Sequence, residues 1–317
     1  MHGHIPSSED KSTQAQDLTC RHILDDSQES FSISYPESHT SPLVFASPHS
    51  GRCYPRAFFS ACIATPLDLR RVEDAYVDVL FDDIPAIGAP LLRALVGRAC
   101  LDLNRASNEL DAHLIDPPMK SPRPNRTPRV QAGLGCIPRI AFSGKTIYGR
   151  KLTPDEVKKR IRTIYLPYHK ALDALIDTTR KHFGVSFLID CHSMPSQSEI
   201  GGNFPDIVLG DRFGGSCSAE LTQKVEDAFT SHGYSVARNR PYAGGFITQS
   251  QGRPEKQRHA LQIEINRKLY LDEQNVLLSE NAKNLKSDIN SIFKELNIWA
   301  KQIAPKTPKN IPIPQSQ

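Results

Sequence analysis

The feature that most constrains this chain occurs twice. Two short apolar runs, Leu43 to Ser47 and Val185 to Asp190, stop abruptly, and each is followed two residues later by a histidine, His49 and His192. Runs of this length bounded by turn residues read as buried strands, which places both histidines just past a strand's carboxyl end. Between them lie two helix starts, Thr65-Pro66-Leu67-Asp68 and Thr153-Pro154-Asp155-Glu156. Each carries a threonine N-cap, proline at the first helical position and an acid at the third. The first predicts a helix to about Asp83, and the second a helix to about His182 that Pro167 should kink or divide. Strands alternating with helices in this way predict an α/β fold with helices covering an open sheet.

The remaining pattern agrees. The run from Leu91 to Asn104 reads as two short strands, and 105–138 as a long connection rich in Pro, Arg and Asn, of a length that usually serves function. Further strands are predicted at Asp206–Leu209 and Tyr234–Ala237, with helices over Ser216–His232 and about Glu273–Ala300. His259 to Asn266 alternates, with Leu261, Ile263 and Ile265 on one face and Gln262, Glu264 and Asn266 on the other. The polar start (1–37) and the Pro- and Lys-rich end (304–317) read as flexible tails on one domain, 38–303.

Composition excludes several functions. A formal net charge of +4 in 317 residues implies no nucleic-acid partner. Nowhere do eighteen apolar residues stand together, and the N-terminus lacks the basic start and apolar run of a signal peptide, so no membrane partner is expected. The seven cysteines are scattered without a C-x-x-C pair, which fits a reducing cytoplasm.

Ligand sites of open α/β sheets form at the carboxyl ends of strands, so His49 and His192 are the first residues to test. A hydrolytic zinc site takes three protein ligands, commonly two histidines and a carboxylate, and leaves one position for water. Glu73 is the best third ligand, because it shares the inward stripe of Leu69, Val72, Tyr76, Val79 and Leu80 on the first helix. A buried carboxylate needs compensation, and a divalent metal supplies it. The alternative for Glu73 is an ion pair with Arg70 or Arg71, and Asp74, about 100° further round, is the next candidate ligand. Glu264 suits a general base, as a carboxylate on the polar side of a strand whose other side is Leu and Ile. Its alternative is simple exposure at an edge strand. Arg98 and Arg105 flank the segment that ends in Asn104, and a guanidinium holds a carboxylate through two parallel hydrogen bonds.

Six blocks in order resemble the N-formylglutamate amidohydrolase family. They are SPHSGRCYP (47–55), RRVEDAYVDVLF (70–81), GRACLDLNR (97–105), IDCHSMPS (189–196), DIVLGDRFGGSCS (206–218) and the long run from Asn239 to Glu273. The resemblance implies a three-layer α/β/α fold with a central mixed sheet, phosphorylase/hydrolase-like and similar to zinc carboxypeptidases and aspartoacylases. It also implies zinc-dependent hydrolysis of N-formyl-L-glutamate to formate and L-glutamate, a step of bacterial histidine breakdown, on a small anionic N-acyl amino acid substrate. In those relatives a glutamate ligand follows the first histidine by three residues, where this chain has Arg52, so the third ligand comes from elsewhere. The aspartoacylase run whose Asn and Arg grip the substrate carboxylate looks like Asp102-Leu103-Asn104-Arg105, with Arg98 as a second grip. The late glutamate base looks like Glu264. Two other readings stay open: a deacylase for another N-acyl amino acid on the same scaffold, and a silent metabolite-binding relative.

Overall fold

Three strands buried on both faces organise the protein: β3 (Leu43–Ser47), β6 (Ser186–Met194) and β9 (Arg258–Asn266). The computed structural model describes residues 22–24, 29–120, 124–125, 127–141, 144–196 and 204–305. Near-continuous apolar strands of this kind belong in the middle of a sheet covered on both sides. The seven-stranded sheet has the order β2-β5-β3-β6-β9-β7-β8, completed by β2 (Phe31–Ser34), β5 (Leu91–Ala94), β7 (Ile207–Gly210) and β8 (Val236–Arg238). β5, β3, β6 and β9 are parallel, while β2 and β7 run antiparallel to β5 and β9, so the sheet is mixed as expected.

Strand alternation splits the core in two. Leu43, Phe45, Phe187, Ile189, Leu261 and Ile263 face the helices Ala219–Ser231 and Ala282–Ile303. The intervening residues Val44, Ala46, Leu188 and Ala260 face the helix Leu166–Phe183 through its Tyr168, Leu172 and Ile176. The result is the expected α/β/α layering.

Several boundaries differ from expectation. Phe31–Ser34 is a strand of the main sheet, and His22–Leu24 (β1) pairs with β4 (Cys53–Pro55), so part of 1–37 is ordered structure. The rest of that tail, residues 1–21 and 25–28, and residues 306–317 lie outside the described residues. Only β5 forms between Leu91 and Asn104. Beyond it the chain turns at Gly97–Cys100, and the Asp102 amide bonds to the Cys136 carbonyl at 2.7 Å in place of a strand ladder. The last helix starts at Ala282, because Leu271–Asp272 and Leu277–Leu278 pair as a small hairpin around Val276, whose φ is 55°.

The second capping box forms as read. Thr153 caps the amide of Glu156, and Glu156 returns a bond to the amide of Thr153. The helix Pro154–Arg160 passes through a π turn, Ile161–Tyr165, into Leu166–Phe183. Pro167 accounts for this, since it has no N–H for the carbonyl four residues earlier. That carbonyl, Thr163 O, accepts from the Ser30 hydroxyl at 3.3 Å. Hydrogen bonds from Arg150 and the Thr153 cap, against a smaller cost of burial, hold Glu156 down to about 2 from an ordinary value near 4.5. A depressed carboxylate stabilises the fold above its unfolded pKa and loses that effect as pH falls through the folded one. The urea midpoint of Glu156→Gln is therefore expected to lie below wild type at neutral pH, and the gap to close between pH 4.5 and about 2. Thr153→Ala, which removes the cap itself, is expected to cost about 1 kcal/mol.

Candidate active site

The site opens where β3, β6 and β9 end, on the side of the sheet that carries the helix Leu166–Phe183. β6 and β9 pair with Asp190 opposite Gln262 and His192 opposite Glu264. Residues paired in register point to one side of the sheet, so all four side chains share a face. His192 therefore lies within a strand and not beyond one, since β6 continues to Met194. His49 does sit in the turn after β3. Just beyond it, a side chain at Gly51 would overlap the Val96 carbonyl, so only glycine lets the turn close against the Leu95–Val96 backbone. β9 is central and not an edge, which turns its polar face into the floor of a cavity of about 370 Å³.

Three buried side chains converge there. Asp74 Oδ2 lies 2.8 Å from His192 Nδ1 and 3.3 Å from His49 Nδ1. One donor atom from each of the three lies within 4.8 Å of the others, and this group could hold a metal ion. The far nitrogens meet carboxylates: His49 Nε2 is 2.8 Å from Asp102 Oδ1, and His192 Nε2 is 3.2 Å from Asp190 Oδ1, though out of line for a hydrogen bond. His49 Nδ1 has no hydrogen-bond partner among the described residues, and neither has either oxygen of Asp190. Asp74, Asp102, Asp190 and Glu264 thus put four carboxylates around two imidazoles. Burial works against the charge on Asp74, but His192 and His49 hold its pKa well below the ordinary range.

Glu73, the expected third ligand, points elsewhere. Its Oε2 accepts from Arg70 at 2.8 Å and its Oε1 from the Tyr54 hydroxyl at 3.4 Å. Burial pushes its pKa up to about 8, against the pull of Arg70. The physical reason is that the expected helix 65–83 is two short helices, Pro66–Arg71 and Val77–Leu80, separated by Tyr76 in a left-handed conformation with φ of 63°. The interrupted backbone takes long-range partners instead. The Asp74 amide bonds to the His49 carbonyl at 3.0 Å, and Arg267 donates to the carbonyls of Glu73 at 2.6 Å and Arg71 at 3.3 Å. A stripe drawn at 3.6 residues per turn fails across such a break, and the neighbouring acid faces the histidines.

Glu264 is buried on the cavity floor, and its Oε1 accepts from Gln262 Nε2 at 2.6 Å. Burial raises its pKa to about 7, while His192 and Arg98 draw it down. Arg98, Asn104 and Arg105 all line the cavity. Arg98 is already engaged, its Nε donating to Asp102 Oδ2 at 3.0 Å and its Nη1 lying 3.5 Å from Asp74 Oδ1. Asn104 accepts from the Ile247 amide at 2.7 Å, which turns its Nδ2 toward His192 Nε2 at 3.1 Å. A Cβ on Gly245 would overlap this amide, so glycine there lets the 242–245 loop close over it. Sequence reasoning missed Asp102 and Arg267 as partners of the site. Asp102 stood inside a motif already singled out. Arg267 gave no local sign, because its contacts lie almost 200 residues away in the chain.

Residues 41–271 match the N-formylglutamate amidohydrolase family. The chain belongs to that family. It is 28% identical over 268 residues to N-formylglutamate deformylase of Pseudomonas aeruginosa, an alignment that covers 82% of this chain and 94% of the relative. The enzyme of the same name from Pseudomonas putida is 29% identical, covering 73% and 82%. The crystal structure of N-formylglutamate amidohydrolase from Ralstonia eutropha JMP134 superposes with a TM-score of 0.82 at 34% identity, over 87% of this chain and 99% of that one. A gene product of Agrobacterium tumefaciens shares the fold, with a TM-score of 0.63 at 14% identity. The protein is thus a hydrolase acting on an amide bond, with the α/β fold of its family. No helix among the described residues is long and apolar enough to cross a membrane.

Proposed function

We propose that this family member hydrolyses N-formyl-L-glutamate to formate and L-glutamate, using a divalent metal, zinc in the first instance, held by His49, Asp74 and His192. The reading places it in the cytoplasm, in histidine breakdown. The observation that carries it is the buried triad at the end of β3 and β6, with Glu264 beside it in register and a carboxylate behind each imidazole. The donor set suits zinc, and the unpartnered His49 Nδ1 is what a ligand nitrogen looks like without its ion. A bound divalent ion would supply Lewis-acid polarisation of the formyl carbonyl and a water ionised near neutral pH.

The chain's own groups do the rest. Ligation through Nδ1 would leave the His49 ring proton on Nε2, where Asp102 accepts it at 2.8 Å. Glu264 takes the proton from the attacking water and returns it to the departing amine. A carboxylate raised to about 7 suits both halves of that transfer near neutral pH. Arg98, held at the cavity wall by Asp102, is placed to stabilise the developing oxyanion. Arg105, with Asn104 beside it, meets a substrate carboxylate. Chelation is expected to abolish release of glutamate from N-formylglutamate, and zinc to restore it. Turnover that continues in metal-free protein, verified by elemental analysis, sinks the reading.

A further inference from the structure

Five arginines line the cavity, and three of them are committed. Arg98 is paired with Asp102, Arg267 with Asp74 and the backbone of Arg71 and Glu73, and Arg71 donates to the Gln274 carbonyl at 2.6 Å. Arg105 and Arg129 differ. Arg105 stands 3.9 Å from Asp102 Oδ2, at the outer limit of an ion pair, and its buried Nε has no hydrogen-bond partner among the described residues. Arg129 is exposed at the cavity wall on the short helix Pro128–Gln131, within the 105–138 connection. The nearby Arg139 is neutralised by Asp111 at 2.7 Å, whereas no carboxylate pairs with Arg129 among the described residues.

The two arginines feel each other. Burial lowers the pKa of Arg105, Asp102 counters it, and the charge of Arg129 adds to the lowering. Two like charges lining one cavity, neither hydrogen-bonded to a carboxylate among the described residues, are stabilised by an anion that arrives with the ligand. The end of the same connection and the residues just after it supply an apolar wall, Leu134, Pro138, Ile140 and Ala141. Its chemistry fits methylene groups that end in a carboxylate.

We propose that Arg129 determines side-chain specificity: together with Arg105 it binds the carboxylate at the end of the substrate's aliphatic side chain, selecting dicarboxylic N-formyl amino acids over neutral ones. This rests on the hydrolysis proposed above and adds the residue that recognises the glutamate side chain. Charge-assisted pairs of this kind carry about a 10- to 100-fold effect on binding.

The test compares zinc-loaded wild type and Arg129→Gln on N-formyl-L-glutamate and N-formyl-L-glutamine. The variant's preference for glutamate over glutamine is expected to drop about 10- to 100-fold, through a raised KM for N-formylglutamate. Calorimetry with the product amino acids is the second readout, and L-glutamate binding is expected to weaken by the same factor relative to L-glutamine. An unchanged preference, or a loss confined to kcat for both substrates alike, overturns the proposal. Failure of the hydrolysis reading looks different, because wild type then turns over no N-formyl amino acid, and the calorimetric comparison still decides what Arg129 binds.

Discussion

Asp74→Ala is expected to leave a folded protein that no longer retains its metal and whose kcat/KM for N-formylglutamate is down by about 10³-fold or more. That magnitude follows from several kcal/mol of transition-state stabilisation at tenfold per 1.4 kcal/mol. Asp74 Oδ2 lies within 3.3 Å of both imidazoles, so its removal takes away the oxygen donor and the charge that opposes the cation. The neighbouring substitution separates the two acids. Glu73→Ala removes the acceptor that the buried Arg70 guanidinium meets at 2.8 Å, and is expected to cost about 1–3 kcal/mol of stability while metal content per folded molecule stays at the wild-type level. Elemental analysis and urea unfolding of both variants distinguish the roles. Metal lost from the Glu73 variant and kept in the Asp74 variant would reverse the assignment.

The second large effect is chemical and not structural. Glu264→Gln keeps the size of the side chain and an oxygen to accept from Gln262, so fold and metal content should hold. kcat is expected to fall by about 10²- to 10⁴-fold, the usual worth of a positioned general base, with KM nearly unchanged. A variant that keeps more than a tenth of wild-type kcat would show that Glu264 is not the proton carrier.

Comparison of Glu264 with Glu73 shows where local reading holds. Glu264 lies on a strand, where side chains alternate strictly, so the face shared by Gln262, Glu264 and Asn266 was legible from spacing alone. Glu73 was assigned by helical period across a segment that is not one helix. Nothing between Thr65 and Asp83 announces the left-handed Tyr76, because the break depends on the His49 carbonyl and on Arg267, both distant in the chain. The second of the two strands expected between Leu91 and Asn104 failed for a similar reason, since that segment is held by Cys136 and not by a neighbouring strand.

The sequence by itself determined the alternation of strands and helices, both capping boxes, His49 in the turn after its strand and the polar face of β9. These follow from burial period, proline and side-chain capping, which act over a few residues. Tertiary structure alone decided which acid joins the histidines, which carboxylates stand behind them, and which arginines at the cavity lack a hydrogen-bonded carboxylate among the described residues. Those outcomes depend on pairings across 50 to 200 residues, where β6 meets β9 in register and Arg267 reaches back to the broken helix.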